Sequence, residues 1–147
     1  MRRFVVRPLH IFTALVAVAF ALTMALTQQK SATEKKSGKT VSFKTDVFSK
    51  IIKKYCLPCH AEDQFNPSEL SMDTYDQLKT GGKHGAPWVA GKSKESLIVQ
   101  KLGSNPPFDD RMPLNDKKKI AAGKAKYLSD QEIKMIVTWI DQGAKNN

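Results

Sequence analysis

The segment that constrains this chain most is residues 55–60, YCLPCH, which holds both cysteines of the 147-residue sequence. Cys56 and Cys59 are three residues apart and His60 follows directly, so on a helix the three side chains leave from neighbouring points of one surface. The preceding residues predict such a helix, because apolar side chains recur there at intervals of three and four. They are Phe43, Val47, Phe48, Ile51, Ile52 and Tyr55. The fold must therefore present two thiols and an imidazole at the end of an amphipathic helix.

This spacing suits a covalently attached haem. Two thiols three residues apart can form thioether bonds with the two vinyl groups along one side of a porphyrin, while the imidazole of His60 reaches the iron from one face. The motif predicts one haem c, with Cys56 and Cys59 as anchors and His60 as an iron ligand.

Other chemistries use the same residue types. A structural disulfide or a thioredoxin-like redox pair also has two cysteines at this spacing, but the redox motif belongs to a βαβ unit and no strand pattern precedes Cys56. A zinc site needs four ligands, and only His84 remains to complete one, because His10 lies in the N-terminal apolar segment. A pair of buried free thiols is disfavoured in an oxidising compartment. These remain the alternative interpretations.

A six-coordinate electron carrier needs a second axial ligand, and four residues are candidates. Met72 and Met135 lie among apolar residues and are interpreted as core packing. Met112 lies in the proline-bracketed loop PPFDDRMPLND, where an exposed thioether has no evident packing role, so it is the preferred ligand. His84, in the glycine-rich loop GGKHG, is the alternative ligand or an ordinary loop histidine.

Residues 1–27 predict an export signal. Arg2, Arg3 and Arg7 precede an apolar run over residues 9–26, which is either cleaved or kept as a membrane anchor. Its length is close to the minimum that spans a bilayer, and the cleavage frame at residues 25–27 is poor. Both outcomes place the rest of the chain in the periplasm or on the outer face of the cytoplasmic membrane. Residues 28–40 are polar and predict a flexible linker.

Residues 41–147 predict one all-α domain of about four helices. Ser129 and Glu132 form a capping box that opens a C-terminal amphipathic helix, and Gly143 ends it. Residues 74–80 and 94–102 predict short helices between loops rich in glycine and proline. Strand patterns are nearly absent.

Taken in order, these motifs resemble a small class I c-type cytochrome domain, and most closely the planctomycete-type cytochrome c domain. The resemblance covers about residues 45–144 and includes YCLPCH, the glycines of residues 81–91, the Ser-Leu of residues 96–97, RMP and WIDQGA. It implies a class I cytochrome c-like fold around a covalent haem. Members of this family often carry the module attached to larger domains, whereas here it stands alone behind an export signal, as expected of a carrier.

The resemblance also implies a role for each matching residue. Cys56 and Cys59 would be the thioether anchors, His60 the proximal ligand and Met112 the distal ligand. The loop over residues 81–91 would wrap the haem, and Trp139 would lie in a terminal helix that crosses the first.

The net positive charge indicates which kinds of partner this chain could bind. Without the first 27 residues, 21 Lys or Arg face 14 Asp or Glu, a net charge of +7. Lysines near the predicted haem elements could steer an acidic redox partner, although a solvated basic surface or attraction to anionic lipid would need the same charge. These lysines are Lys53, Lys54, Lys83, Lys92, Lys117, Lys118 and Lys119. Nucleic acid is not an expected partner, because the chain has no basic motif interleaved with aromatic residues.

These observations predict an exported mono-haem cytochrome that carries single electrons between redox partners and is not an enzyme. The alternative is a haem enzyme or gas sensor whose distal site is open or filled by His84. A purely structural pair of thiols is the third hypothesis.

Overall fold

A computed structural model describes residues 38–147, and the signal or anchor expected over residues 1–27, with most of the expected linker, lies outside them. The unit Lys39–Asn147 contains a π-helix, five α-helices and a single 3₁₀ turn. They are π1 (Phe43–Cys56), α1 (Leu57–His60), α2 (Tyr75–Thr80), the 3₁₀ turn Ser93–Glu95, α3 (Leu97–Leu102), α4 (Lys117–Ala121) and α5 (Asp130–Asp141). Over these residues the chain forms no strand, which confirms the all-α class there. None of the helices in this part is long and apolar enough to cross a membrane.

The helix before the cysteines differs from its prediction in winding. Along π1 the hydrogen bonds run to the fifth preceding residue, as from the Val47 N–H to the Ser42 carbonyl at 3.2 Å. Its apolar face is buried as predicted, with Val47 and Ile51 fully buried. At Cys56 the winding changes to that of α1, whose second residue is Pro58. The YCLPCH segment therefore spans a change of winding and does not lie on one uniform helix.

The middle of the domain confirms one predicted helix and corrects another. Thr74 caps α2, its hydroxyl accepting from the Gln77 N–H at 3.2 Å. The helix predicted over residues 94–102 is broken at Ser96, whose backbone is extended. The buried Ser96 hydroxyl donates to the Lys92 carbonyl at 2.8 Å, and such a side-chain bond competes with helical hydrogen bonding.

Helix α4 was not predicted from the sequence. Its N-cap is Asp116, whose carboxylate accepts from the Lys118 N–H at 2.6 Å. The signal was present as an Asn-Asp pair before a lysine run, but the helix has only five residues and buries none of them.

Helix α5 packs against π1 around a cluster of aromatic rings. Trp139 is 1% exposed, and its ring centroid lies 5.0 Å from that of Trp88 and 5.4 Å from that of Phe43. Met72 is buried and Met135 partly buried in the same core, which confirms that both pack there.

The predicted capping box forms and also joins α5 to π1. The Ser129 hydroxyl accepts from the Glu132 N–H, and the Glu132 carboxylate accepts from the Ser129 N–H at 2.8 Å. The same carboxylate accepts from the Tyr55 hydroxyl at 3.0 Å and lies 3.9 Å from the Lys54 Nζ. Partial burial alone would raise the pKa of Glu132, but the bonds from Ser129 and Tyr55 and the charge of Lys54 outweigh it and lower that pKa.

Replacing Glu132 with glutamine should lower the free energy of unfolding at pH 7 by about 1 kcal/mol. Because the pKa of Glu132 is lower in the folded state, its contribution is fully present above the unfolded pKa of about 4.3 and is lost as pH falls through the folded pKa. Urea unfolding from pH 7 to pH 3 measures this, and the two proteins should converge at the acid end.

Glu95 gives the matched control, because its carboxylate forms only an exposed pair with Lys92 at 3.1 Å. Glu95→Gln should change the unfolding free energy by less than about 0.5 kcal/mol. A Glu132→Gln effect that stayed constant down to pH 3 would contradict the proposed ionic origin.

Candidate functional site

The two cysteines stand on either side of the change in winding. Cys56 ends π1, is half-buried and packs against the hydrophobic core, whereas Cys59 lies in α1 and is exposed. Both are free thiols in the structure. Burial, with a smaller contribution from Cys59, raises the pKa of the Cys56 thiol to about 12. Burial therefore favours the thiol form of Cys56 at neutral pH.

A zinc site finds no support in this region. Among residues 38–147, no three His, Cys, Asp or Glu side chains are grouped so that they could hold a metal ion.

His60 is held by the segment that follows it. Its Nδ1 lies 3.1 Å from the Leu70 carbonyl oxygen, which can only accept, so Nδ1 carries the proton and Nε2 keeps its lone pair. Burial lowers the pKa of His60, although the hydrogen bond to the Leu70 carbonyl and the neighbouring Asn66 side chain partly offset that effect. The ring is thus a neutral imidazole with its orientation set by a backbone carbonyl, the usual state of a metal-ligating histidine.

Asn66 and Ser68 are hydrogen-bonded to each other next to the Leu70 carbonyl that His60 contacts, and neither was predicted from the sequence. The Asn66 Nδ2 donates to the Leu70 carbonyl at 2.8 Å, and the Ser68 hydroxyl donates to the Asn66 Oδ1 at 2.7 Å. The only signal was the Asn-Pro dipeptide of residues 66–67, which indicates a turn but not which carbonyl the amide meets.

The glycine-rich loop supports the same segment through close backbone contact. A Cβ atom on Gly82 would lie 2.4 Å from the Ser68 carbonyl oxygen and 2.7 Å from the Leu70 nitrogen, so no other residue fits there. The Lys83 N–H also donates to the Ser68 carbonyl at 2.8 Å. The loop therefore braces the backbone that orients His60, while its wrapping of the haem stays a prediction.

Met112 is less exposed than the sequence suggested. Its N–H donates to the Lys101 carbonyl at 2.8 Å, and its side chain is partly buried against the core that Cys56 also contacts. The neighbouring Arg111 donates from Nε to the Leu102 carbonyl at 2.9 Å, so the loop folds back onto α3. The expectation of a thioether without a packing role was wrong, and ligation by Met112 stays a prediction.

His84 is exposed but has a packing partner. Its ring stacks on Phe108, with centroids 4.0 Å apart and planes inclined by 28°. The Lys101 Nζ lies 4.7 Å from the centroid of the same Phe108 ring and donates to the Phe108 carbonyl. His84 therefore packs on the loop that carries Met112, which a simple solvated loop histidine would not do.

The available groups fit a covalently bound haem. The site offers two free thiols within one turn and a neutral imidazole whose Nε2 is free to coordinate, and the Met112 thioether packs on the core that Cys56 contacts.

Comparison with known proteins adds one match. A family profile described as planctomycete cytochrome C matches residues 56–114, which begin at Cys56 and include Cys59, His60 and Met112. The capped helix α5 lies outside the matched segment. No curated protein and no solved structure matches the chain.

Proposed function

We propose that this protein is an exported mono-haem cytochrome that carries single electrons between redox partners, because residues 56–114 match the planctomycete cytochrome C profile. The observation that supports this best is the turn holding Cys56, Cys59 and a neutral His60 oriented by the Leu70 carbonyl. The haem iron, when bound, supplies the exchange of one electron between its ferrous and ferric states.

Each residue has a defined role in this proposal. Cys56 and Cys59 would hold the haem through thioether bonds, and His60, through Nε2, and Met112 would bind its iron. With both of these residues bound to the iron, no coordination site would stay open for a substrate, which favours a carrier over an enzyme. A thioether opposite an imidazole also raises the reduction potential.

A specific observation favours a second candidate function. Met112 packs against the core, so its position has a structural reason that is independent of ligation. If Met112 only packs, the distal site is open or filled by His84, and the protein is a haem enzyme or a gas sensor. The spectra and reduction potentials of Met112 variants distinguish these two functions.

Covalent attachment is the first test of the proposal. Protein produced with the cytochrome c maturation machinery should keep its haem through denaturing electrophoresis and should gain the mass of one haem. The double variant Cys56→Ala/Cys59→Ala should lose the haem signal from the denatured band, because no other cysteine exists in the chain. A colourless wild-type band would reject the cytochrome function.

Export is proposed from the sequence of residues 1–27, where three arginines precede the apolar run. It would place the domain in the periplasm or on the outer face of the cytoplasmic membrane, where bare thiols tend to oxidise. Covalent haem attachment would use both thiols of this chain.

An acidic redox protein is the proposed partner, and the structure distinguishes among the lysines suggested for it. Lys54 lies near Glu132 and Lys92 pairs with Glu95, so their charges are partly compensated. Lys117, Lys118 and Lys119 are exposed, and no carboxylate of the described residues lies within ion-pair distance of them. Lys53 and Lys83 are also exposed and without such a carboxylate, but Lys117, Lys118 and Lys119 are consecutive and concentrate three charges, so we propose them as the steering surface.

Neutralising this surface should slow electron transfer at low salt. The triple variant Lys117→Gln/Lys118→Gln/Lys119→Gln should react several-fold more slowly with a small anionic redox complex, and its rate should depend less on salt, since screening acts within about 10 Å at 0.1 M.

A triple variant of Lys39, Lys44 and Lys145 to glutamine is the control, because it removes the same charge from the part of the domain where residues 39–44 contact residues 142–147. Stopped-flow rates from 10 mM to 500 mM salt measure both variants. Equal effects from the two would show that only net charge matters.

A further inference from the structure

The carbonyl oxygen of Leu70 serves two donors at once. His60 donates from Nδ1 at 3.1 Å and Asn66 donates from Nδ2 at 2.8 Å. A carbonyl oxygen has two lone pairs, so it accommodates both bonds. His60 therefore shares its acceptor with the amide of Asn66, and the bond from Asn66 is the shorter of the two.

The orientation of the Asn66 amide is set from both sides. Leu70 offers only an acceptor, and the Ser68 hydroxyl donates to the Asn66 Oδ1 at 2.7 Å. A turn closed by the Glu69 N–H and the Asn66 carbonyl at 3.0 Å, with Glu69 at φ +56°, brings the side chain of Asn66 back to Leu70. Glu69 is a non-glycine residue in a left-handed conformation, so tertiary contacts must maintain this turn.

Contacts other than the Asn66 amide hold the backbone around the Leu70 carbonyl. The Ser68 carbonyl accepts from the Lys83 N–H at 2.8 Å, and the Met72 N–H donates to the His60 carbonyl at 2.8 Å. The backbone of Gly82 packs directly against residues 68–70. These contacts hold the segment on both sides of Leu70, so the amide of Asn66 acts on a carbonyl that is already in place.

We propose that Asn66 tunes the electron-donating strength of His60 by competing for the Leu70 carbonyl. The Asn66 N–H draws electron density from the shared oxygen, which then accepts more weakly from the His60 Nδ1–H. A weaker hydrogen bond from Nδ1 leaves less negative charge on the imidazole ring, so Nε2 donates less electron density to the iron. The ferrous state is then stabilised relative to the ferric state, so the reduction potential is higher than it would be without Asn66. This inference rests on the proposed function, in which His60 binds the iron.

Replacing Asn66 with alanine tests this inference in the haem-loaded protein. At a fixed ambient potential the ratio of ferrous to ferric protein should fall about threefold, which is about 28 mV at 59 mV per tenfold change. The Nδ1 proton of His60 should also move downfield in the NMR spectrum of the ferrous protein, because its hydrogen bond becomes stronger. A purely structural role of Asn66 would not strengthen that bond.

Gln142→Ala is the matched control. The Gln142 amide braces Val41 and Lys39 at the other end of the domain, with bonds of 2.9 and 3.2 Å. Its removal should leave the potential and the His60 proton unchanged. If Asn66→Ala does not fold, Asn66→Leu gives a second test, because leucine nearly keeps the volume of the side chain, has no N–H to donate to Leu70 and should lower the potential in the same direction. Ser68 is left unchanged, because its hydroxyl also lies 3.4 Å from the His60 Nδ1.

The outcomes separate this inference from the proposed function. An unchanged potential overturns it, and a raised potential also overturns it, since Asn66 would then hold the carbonyl in place instead of competing for it. The haem content of the wild-type protein is measured first. A wild type without covalent haem refutes the proposed function and this inference with it, whereas a haem protein with an unmoved potential refutes the inference alone.

Discussion

Replacing Met112 with alanine is expected to open the iron to water or added ligands and to lower the reduction potential. The weak absorption band from sulfur to iron, near the red limit of the oxidised spectrum, should disappear. The reason is that a thioether opposite His60 favours the ferrous state and keeps the sixth position filled. Binding of added imidazole or cyanide, redox titration and the oxidised spectrum measure the three effects.

Because Met112 also packs against the core, the alanine variant changes two properties together. Met112→Leu separates them, since leucine nearly conserves the volume and removes only the sulfur. It should show the same spectral and redox changes as alanine, while its free energy of unfolding stays within about 1.5 kcal/mol of the wild-type value. Normal spectra for Met112→Leu would mean that Met112 is a packing residue.

His84→Ala completes the comparison. It should leave the spin state and the potential unchanged, because His84 stacks on Phe108 and is not the proposed ligand. If instead the His84 variant changes the spin state and the Met112 variants are silent, the iron has two histidine ligands and a lower potential. If neither residue matters, the distal face is open and the enzyme or sensor function is favoured.

Trp139→Ala is expected to give the largest loss of stability. Trp139 is almost completely buried, and its ring lies 5.0 to 6.4 Å from the rings of Trp88, Phe43 and Tyr75. Removing a buried tryptophan side chain typically costs about 3–5 kcal/mol. Because the total stability of a domain is about 5–15 kcal/mol, this variant should be mostly or partly unfolded at 37 °C. Urea unfolding followed by circular dichroism measures the loss.

Two further variants serve as comparisons for the stability loss of Trp139→Ala. Trp139→Phe keeps an aromatic ring but loses the Nε1–H bond to the Lys145 carbonyl at 2.9 Å, so its cost should be clearly smaller than that of alanine. Leu114→Ala changes a side chain that is 62% exposed and should cost less than about 0.5 kcal/mol. A Trp139→Ala loss close to that of Leu114→Ala would contradict the assignment of Trp139 to the centre of the core.

Local features of this chain could be predicted because they depend on neighbouring residues. The cap at Ser129 uses a side chain and an N–H three residues away, and it forms as expected. Thr74 caps α2 in the same way, although only the helix over residues 74–80 was predicted. The helical face before Cys56 follows from the spacing of its apolar residues, although the wider winding of π1 does not. Ser96 shows the limit, since its hydroxyl breaks a predicted helix by bonding to Lys92 and Val89 once the loop folds over it.

The sequence by itself determined the two thiols and the imidazole within five residues, the all-α character of residues 38–147 and the match of residues 56–114 to the planctomycete cytochrome C profile, because each depends on residue types in a short or ordered pattern. Only the tertiary structure decided that Leu70 meets His60, that Asn66 shares the same carbonyl and that Met112 is half-buried. A carbonyl oxygen is present at every residue, so no side-chain pattern can identify which one a histidine will find. That choice is made when Gly82 and the turn before Leu70 pack together, and it follows from steric fit between segments that are distant in the chain.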